Sequence, residues 1–232
     1  LMPFDIFKNG SRSAAYAVSL CLGTAMFGLF FFLTLFVQQV MGFSPLKAGF
    51  AFLPFSAGIM ITAGLSSNLV AKTGPRPWMI PGLALASIGM FLFTKLHVGS
   101  TYLTGLLPAM MITALGLGCV FVPMTLVALT RIRDDEAGIA SGVVNMGQQI
   151  GGSIGLASIG TIAWSLFATY SKSHGLASGD HSSLLYKQSL TAGFGRGFLV
   201  ASGIMLLSLI ITIFFVKTRK EDIGHVDAAL AG

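Results

Sequence analysis

Six stretches of this chain, residues 14–40, 48–70, 78–94, 102–129, 138–169 and 197–216, contain no Asp, Glu, Lys or Arg. Each is an apolar run of roughly 20 residues or more, which as a helix rising about 1.5 Å per residue crosses a hydrocarbon core about 30 Å thick. Lipid offers no partner to a free backbone N–H or C=O, so a spanning segment must be a helix or a strand of a closed barrel. Barrel strands read as segments of about ten residues that alternate apolar and polar, and these runs do not alternate. The sequence therefore specifies an all-α integral membrane protein with six transmembrane helices in one bundle. Composition agrees: of 232 residues 54% are hydrophobic and 9% charged, where a soluble domain carries about 25% charged residues.

The cations sort by side. The amino end, the connectors after the second and fourth runs and the carboxyl end hold Lys8, Arg12, Lys72, Arg76, Arg131, Arg133, Lys217, Arg219 and Lys220. The other side holds Lys47, Lys95, Lys172, Lys187 and Arg196, three of them in one long connector where the charge rule is weak. Both termini are accordingly expected in the cytoplasm. The same distribution accounts for the net charge of +6: no basic face is built on a soluble domain, and nucleic acid is not an expected partner. The chain is expected to divide into a cytoplasmic linker over 1–13, a bundle over 14–216 and a cytoplasmic tail over 217–232. Cys21 and Cys119 sit deep in apolar runs, so no disulfide framework is expected. The chain opens on Leu1 without the basic, apolar and small-residue pattern of a signal peptide, as a piece of a longer protein would. The connector over 170–196, rich in Ser and Gly, reads as an extracytoplasmic loop with a short interfacial helix over 184–190. Its His174 and His181 lack a neighbouring Cys or carboxylate cluster, so a solvated loop rather than a metal site is expected.

Membrane bundles often hide repeats of three spans. An offset of 89 residues lays the first run on the fourth and places Ala48-Gly49 on Ala137-Gly138, Ala51 on Ala140 and Gly58 on Gly147, at the entry to the second helix of each unit. Small residues there let helix backbones approach closely. The fifth run deepens that theme. Gly147, Gly151 and Gly155 recur every four residues and form a packing groove, which Gly138 and Gly142 extend by a turn. Asn145, Gln148 and Gln149 project from a different face, which must meet a helix or a watery cavity because amides in lipid are costly. They serve either as substrate or gate contacts or as interhelical hydrogen bonds.

Two stripes at helical spacing remain: Thr24, Phe27, Phe31, Thr34 and Gln38 in the first run, and Met110, Thr113, Leu117, Phe121 and Met124 in the fourth, where Pro108 and Pro123 are expected kinks. Each stripe is either ordinary packing or a lining for apolar ligands, to which flat Phe and flexible Met surfaces adapt. The connectors over 72–77 and 131–136 serve either as helix caps or as a gate latch. No ionisable group lies within the centre of a run, so a proton-coupling residue is not expected in this chain. The sequence also lacks a P-loop lysine motif, an H-E-x-x-H pair and a nucleophile beside a base, so neither catalysis nor a cofactor nor a metal is expected.

The residues resemble the major facilitator superfamily, and within it the fourteen-span drug:proton antiporters of the EmrB/QacA type. P-F-D-I-F-K-N over 3–9 resembles the linker into their carboxyl-terminal six-helix half. L-F-V-Q-Q-V-M-G-F-S-P-L-K-A-G over 35–49, G-L-G-C-V-F-V-P-M-T over 116–125 and D-E-A-G-I-A-S-G-V-V-N-M-G-Q-Q-I-G-G-S-I-G over 135–155 are similar to their helix junctions and later helices. The cytoplasmic G-x-x-x-D-R-x-G-R-R signature survives only as an echo, with Ser67 for the first Gly and Ala71 for the acid, beside Lys72, Gly74 and Arg76. The resemblance implies a 3+3 inverted repeat, multi-pass placement in the plasma membrane and an amino-terminal half absent from this chain. It also implies alternating-access, proton-coupled efflux of small hydrophobic or cationic drug-like compounds. First and fourth helices then line the cavity, which gives Thr24, Phe27, Phe31, Gln38, Met110, Thr113, Phe121 and Met124 as substrate contacts. Second and fifth helices meet the other half, which puts Asn145, Gln148 and Gln149 at the gate. Two rivals stand beside this reading: a transporter of a lipid, sugar or siderophore, and a non-transporting scaffold that binds a partner helix through Gly147, Gly151 and Gly155.

Overall fold

The structure is a computed structural model and describes residues 9–130, 132, 136–175 and 183–218. The expectations for residues 1–8 of the linker, for 219–232 of the tail, and for Arg131, Arg133, Asp134, Asp135 and His181 lie outside the described residues.

The first span is α1 (Gly10–Leu35), continued by a π-helical turn over Phe36–Val40. It starts four residues before the apolar run because the Asn9 side chain accepts the backbone N–H groups of Ser11 and Arg12, capping the first turn. The second span comprises α2 (Pro45–Ala51) and α3 (Leu53–Thr73). Span three is α4 (Arg76–Phe93), and span four is a π turn over Tyr102–Leu106 followed by α5 (Leu107–Leu129). Pro108 stands in the first turn of α5, where no N–H is needed, so of the two expected kink residues only Pro123 lies in the helix interior. The fifth and sixth spans are α6 (Ala137–Ser173) and α7 (Leu184–Phe215). The expected interfacial helix over 184–190 is thus the first two turns of the last span, which Ser183 caps by accepting the Tyr186 N–H. Lys187, Gln188 and Arg196 end the apolar run early although the helix continues through them.

The six spans are interleaved. α1 packs on α6 and α7, while α5 packs on α3 and α4, and α4 meets α7. Exchanging the first three spans with the last three turns the pairing of α1 with α6 into that of α5 with α3, and that of α1 with α7 into that of α5 with α4, and maps the pairing of α4 with α7 onto itself. Three crossings precede the second unit, so it starts from the opposite side of the membrane and the repeat is inverted. The pairing of spans three and six is reciprocal at the level of atoms: the Ser87 hydroxyl donates to the Ser202 carbonyl at 3.1 Å and the Ser202 hydroxyl to the Ser87 carbonyl at 2.9 Å.

Glycine makes the helix contacts. A Cβ on Gly151 would overlap the Leu20 carbonyl, one on Gly155 the Thr24 carbonyl, and one on Gly147 would come within 2.6 Å of the Ser19 Oγ, so this edge of α6 lies directly on α1. Gly23 returns the contact from α1, where the Gln148 backbone occupies the place of its Cβ. Gly82 and Gly89 on α4 meet Gly116 and Thr113 on α5, and Gly118 meets Thr62 on α3. Gly138 and Gly142, expected to extend the groove, have nothing within 4 Å of a Cβ and take no part in it. Between the seams the interior is filled by buried Phe32, Phe36, Phe55, Phe93, Phe194 and Phe198, with Phe32 on Phe194 and Phe93 on Phe198 at ring separations of 5.3 Å.

At the end of the bundle where α1 starts and α7 ends, side chains close the helix termini. The Arg12 guanidinium donates to the Thr130 carbonyl and that of Arg76 to the Ile213 carbonyl, each at 2.8 Å. The Ser11 hydroxyl donates to the Phe215 carbonyl at 3.3 Å. These oxygens end α5 and α7, where four carbonyls lack helical partners and the dipole favours a cation.

Two alanine substitutions on α6 should move stability in opposite directions. Gly151→Ala has to push α1 away and should lower the melting temperature in detergent by several degrees. Gly142→Ala meets nothing and, with about 0.5–1 kcal/mol of helix propensity in its favour, should leave the melt unchanged or raise it. Equal losses at both positions would contradict the seam.

Candidate functional site

A groove of about 590 Å³ opens between α1, α5 and α6. Its α1 wall is Leu22, Gly23, Met26, Phe27, Phe30, Phe31, Thr34 and Leu35; Phe121 comes from α5, and Gln148 and Leu156 from α6. The positions 23, 27, 30 and 34 are separated by steps of four, three and four, one face of a helix. The rings are held in fixed relation to the core: Phe30 sits edge-on to Phe55 at 5.2 Å and to Phe52 at 6.1 Å, and Phe31 edge-on to Phe32 at 5.1 Å. The Phe27 ring lies over Gly152, whose missing side chain leaves the room it occupies. Phe27 and Phe31 are each more than 40% exposed, a large apolar surface turned toward open space. Against this wall the groove offers one carboxamide, Gln148, and one hydroxyl, Thr34. No charged side chain lines it.

Of the expected substrate contacts, the structure brings Phe27, Phe31 and Phe121 to the groove, and joins Gln148 to them from the set expected at the gate. Thr24 does not reach it. Its backbone is the surface on which Gly155 rests, and its hydroxyl donates to the Leu20 carbonyl at 2.9 Å. Gln38 falls in the π turn, whose wider pitch carries it off the stripe through Phe31 and Thr34. Met110, Thr113 and Met124 are fully buried in the bundle core, Thr113 pressed against Gly89 of α4, so the line expected down the fourth span faces helices rather than the groove. The unexpected members on α1, Leu22, Gly23, Met26, Phe30 and Leu35, flank the stripe, so the groove takes in a broader face of the helix than one line through Phe27, Phe31 and Thr34. The signal that locates them is Gly23, a position where a second helix must come close.

Asn145 and Gln149 lie on the exposed face of α6. The Asn145 amide donates to the Ser141 carbonyl one turn back at 3.3 Å. Around them Met146, Ile150 and Ile154 are exposed, as are Met60, Ile61 and Leu65 on α3, so spans two and five each present an uncovered face. At the far end of α6 the His174 ring stacks on Tyr170 at 4.1 Å.

Comparison with known proteins agrees with this architecture. The chain is 33% identical, over 99% of its length, to the puromycin resistance protein of Streptomyces alboniger, of which it covers 45%. It is 31% identical over 71% of its length to the multidrug resistance protein Stp of Mycobacterium tuberculosis, covering 30% of that protein. Against the lincomycin resistance protein of Streptomyces lincolnensis the identity is 32% over 71% of the chain and 34% of the relative. The chain thus spans less than half the length of these relatives. Residues 3–156 match the sequence profile of the Major Facilitator Superfamily, and with six spans in two interleaved sets of three, the chain belongs to that family.

Proposed function

We propose that this bundle is one half of a plasma-membrane drug exporter, with both termini in the cytoplasm, and that its groove is one wall of the site where small hydrophobic or cationic compounds bind. The observation that carries the reading is the groove lining itself: four aromatic rings and a methionine with one amide and no charge. Flat rings and a thioether accept many apolar shapes, and ring faces attract an organic cation without a fixed counter-ion. A sugar site would need several convergent polar groups, which this wall does not hold. The resistance functions in the relatives' names fit the same class of ligand.

The uncovered faces of α3 and α6 are where the other half of the transporter would sit. Covering them would take Asn145 and Gln149 out of lipid and close the groove from the open side. Transport would follow from rocking this bundle against that half, so that the groove opens to each side in turn. The described helices hold no Asp or Glu inside a span, so an acid that couples transport to protons would belong to the covering half.

In the full-length parent protein, Phe27→Ala and Phe31→Ala should each raise the apparent KM for ethidium efflux about 2- to 10-fold, the worth of one aromatic contact of about 0.5–1.5 kcal/mol. Met124→Ala should instead lower stability by about 2–5 kcal/mol and leave the KM of the folded protein within about twofold. Unchanged efflux in the Phe27→Ala, Phe31→Ala double variant would remove the groove from the mechanism. Orientation is checked separately, in a background with Cys21 and Cys119 replaced by Ser. Cys introduced at Gly99 should react with an impermeant maleimide on intact cells, and Cys introduced at Lys217 should not; the reverse pattern would invert the topology.

A further inference from the structure

A second cavity, of about 860 Å³, lies at the end of the bundle opposite the start of α1 and shares no lining residue with the groove. It exists because the third span is short. α4 has 18 residues, whereas α6 has 37 and α7 has 32, so at about 1.5 Å per residue the latter two overhang it. The contact between Gly195 of α7 and the Thr94 carbonyl, 3.7 Å from where a Cβ would stand, marks the level at which α4 stops. Residues 184–194 of α7 continue beyond it for about 16 Å.

The notch under this overhang is amphipathic in a defined order. Lys95, in the turn that ends α4, and Arg196 of α7 line it together with the Gln188 amide, and none of its lining residues is acidic. Below them, on the side of the hydrocarbon core, stand Phe91, Leu166 and Leu199. Lys95 Nζ lies 5.4 Å from the centre of the Phe91 ring, its stem along the apolar wall and its charge at the rim. Phe91 and Leu199 are about two-fifths exposed (44% and 40%), so the apolar wall opens sideways. Two cations at the height where a span ends, with an apolar wall beneath them, match a phosphate that has acyl chains attached. A free anion would use the rim and leave the wall bare.

We infer that this notch is a binding site for one anionic phospholipid, its phosphate held by Lys95 and Arg196 and its chains laid along Phe91, Leu166 and Leu199. The site is independent of what the groove transports.

The test is lipid binding to the full-length protein, measured by native mass spectrometry with dioleoyl phosphatidylglycerol or phosphatidylcholine added to the detergent-solubilised sample. At about 1 kcal/mol for each cation, Lys95→Gln and Arg196→Gln should each weaken phosphatidylglycerol about fivefold, and the pair about thirtyfold. Phosphatidylcholine, whose choline cation offsets the charge of its phosphate, should bind the unaltered protein more weakly than phosphatidylglycerol and lose less in these variants. Lys47→Gln, at the same end of the bundle but outside the notch, should change nothing. Leu199→Trp keeps both cations and fills the wall, and should weaken the lipid as well, so the proposal remains testable if the double variant fails to fold. Undiminished phosphatidylglycerol binding in the single variants or in Leu199→Trp would overturn the site, as would an equal loss in Lys47→Gln. Displacement of the lipid by millimolar inorganic phosphate would also overturn it, since the occupant would then be a soluble anion.

Discussion

Helices in lipid gain little from burying apolar side chains against one another, because the acyl chains are equally apolar. Their association depends on how closely backbones approach. In this bundle closeness comes from glycine. Gly23, Gly151 and Gly155 put α1 on α6, Gly82, Gly89 and Gly116 put α4 on α5, and Gly118 puts α5 on α3. Each of these three seams joins a helix of the first three-span unit to a helix of the second. The units therefore cannot part without breaking backbone contacts, and the reciprocal bonds of Ser87 and Ser202 tie them again. A bundle locked in this way would meet the mechanical requirement of the proposed rocking, that the half turn as one body.

The two ends of the bundle differ for reasons that follow from the same constraint. At the end where α1 starts and α7 ends, Arg12 and Arg76 satisfy the last carbonyls of α5 and α7, and cations are favoured there by the helix dipoles. At the other end the helices are of unequal length, and both helices that open with or close on a π turn, spans one and four, have it there. A π turn inserts an extra residue into the helical pitch and changes which side chains share a face. The groove begins just below the turn of Phe36–Val40, so its lining ends at Leu35.

The number of spans, their helical character and the glycine edge of α6 are legible in the sequence because each rests on a one-dimensional property: length, absence of charge, and a spacing of four. The site is only half legible. Phe27 and Phe31 line the groove as the stripe suggests, but Gly23 and Thr24 both lead to Phe27 by a helical step of four or three, and nothing in the spacing alone tells which of the two faces the groove. The same ambiguity sends Met110, Thr113 and Met124 to the core, since in a helix apolar on every side the pattern carries no phase. Gly138 and Gly142 share the spacing of Gly151 and Gly155 yet touch nothing, because the five residues from Gly142 to Gly147 break the phase and turn Gly142 to the exposed face, while Ala140, Val143 and Val144 are buried at that level. Arg196 hides the start of the last span, since a cation within the apolar stretch reads as its end while the helix continues past it.

The groove and the exposed amides of α6 pose a single problem. A pocket that holds a drug-sized ligand covers most of its surface, and a wall supplied by α1, α5 and α6 covers one side only. Gln148 faces that groove while Asn145 and Gln149, on adjacent turns of the same helix, stand on the uncovered surface where lipid would be costly. A second bundle on this face meets both requirements at once, enclosing the ligand and removing the amides from acyl chains. That face mixes small and polar residues, Ser141, Gly142 and Ser153, with the exposed side chains of Met146, Ile150 and Ile154. In the proposed transporter that face would have to part from the other half in each cycle, whereas the glycine seams within the bundle would stay closed. The proposed division between seams that stay closed and a face that opens would thus follow from what sits at the contact: backbone against backbone inside, side chains against a partner outside.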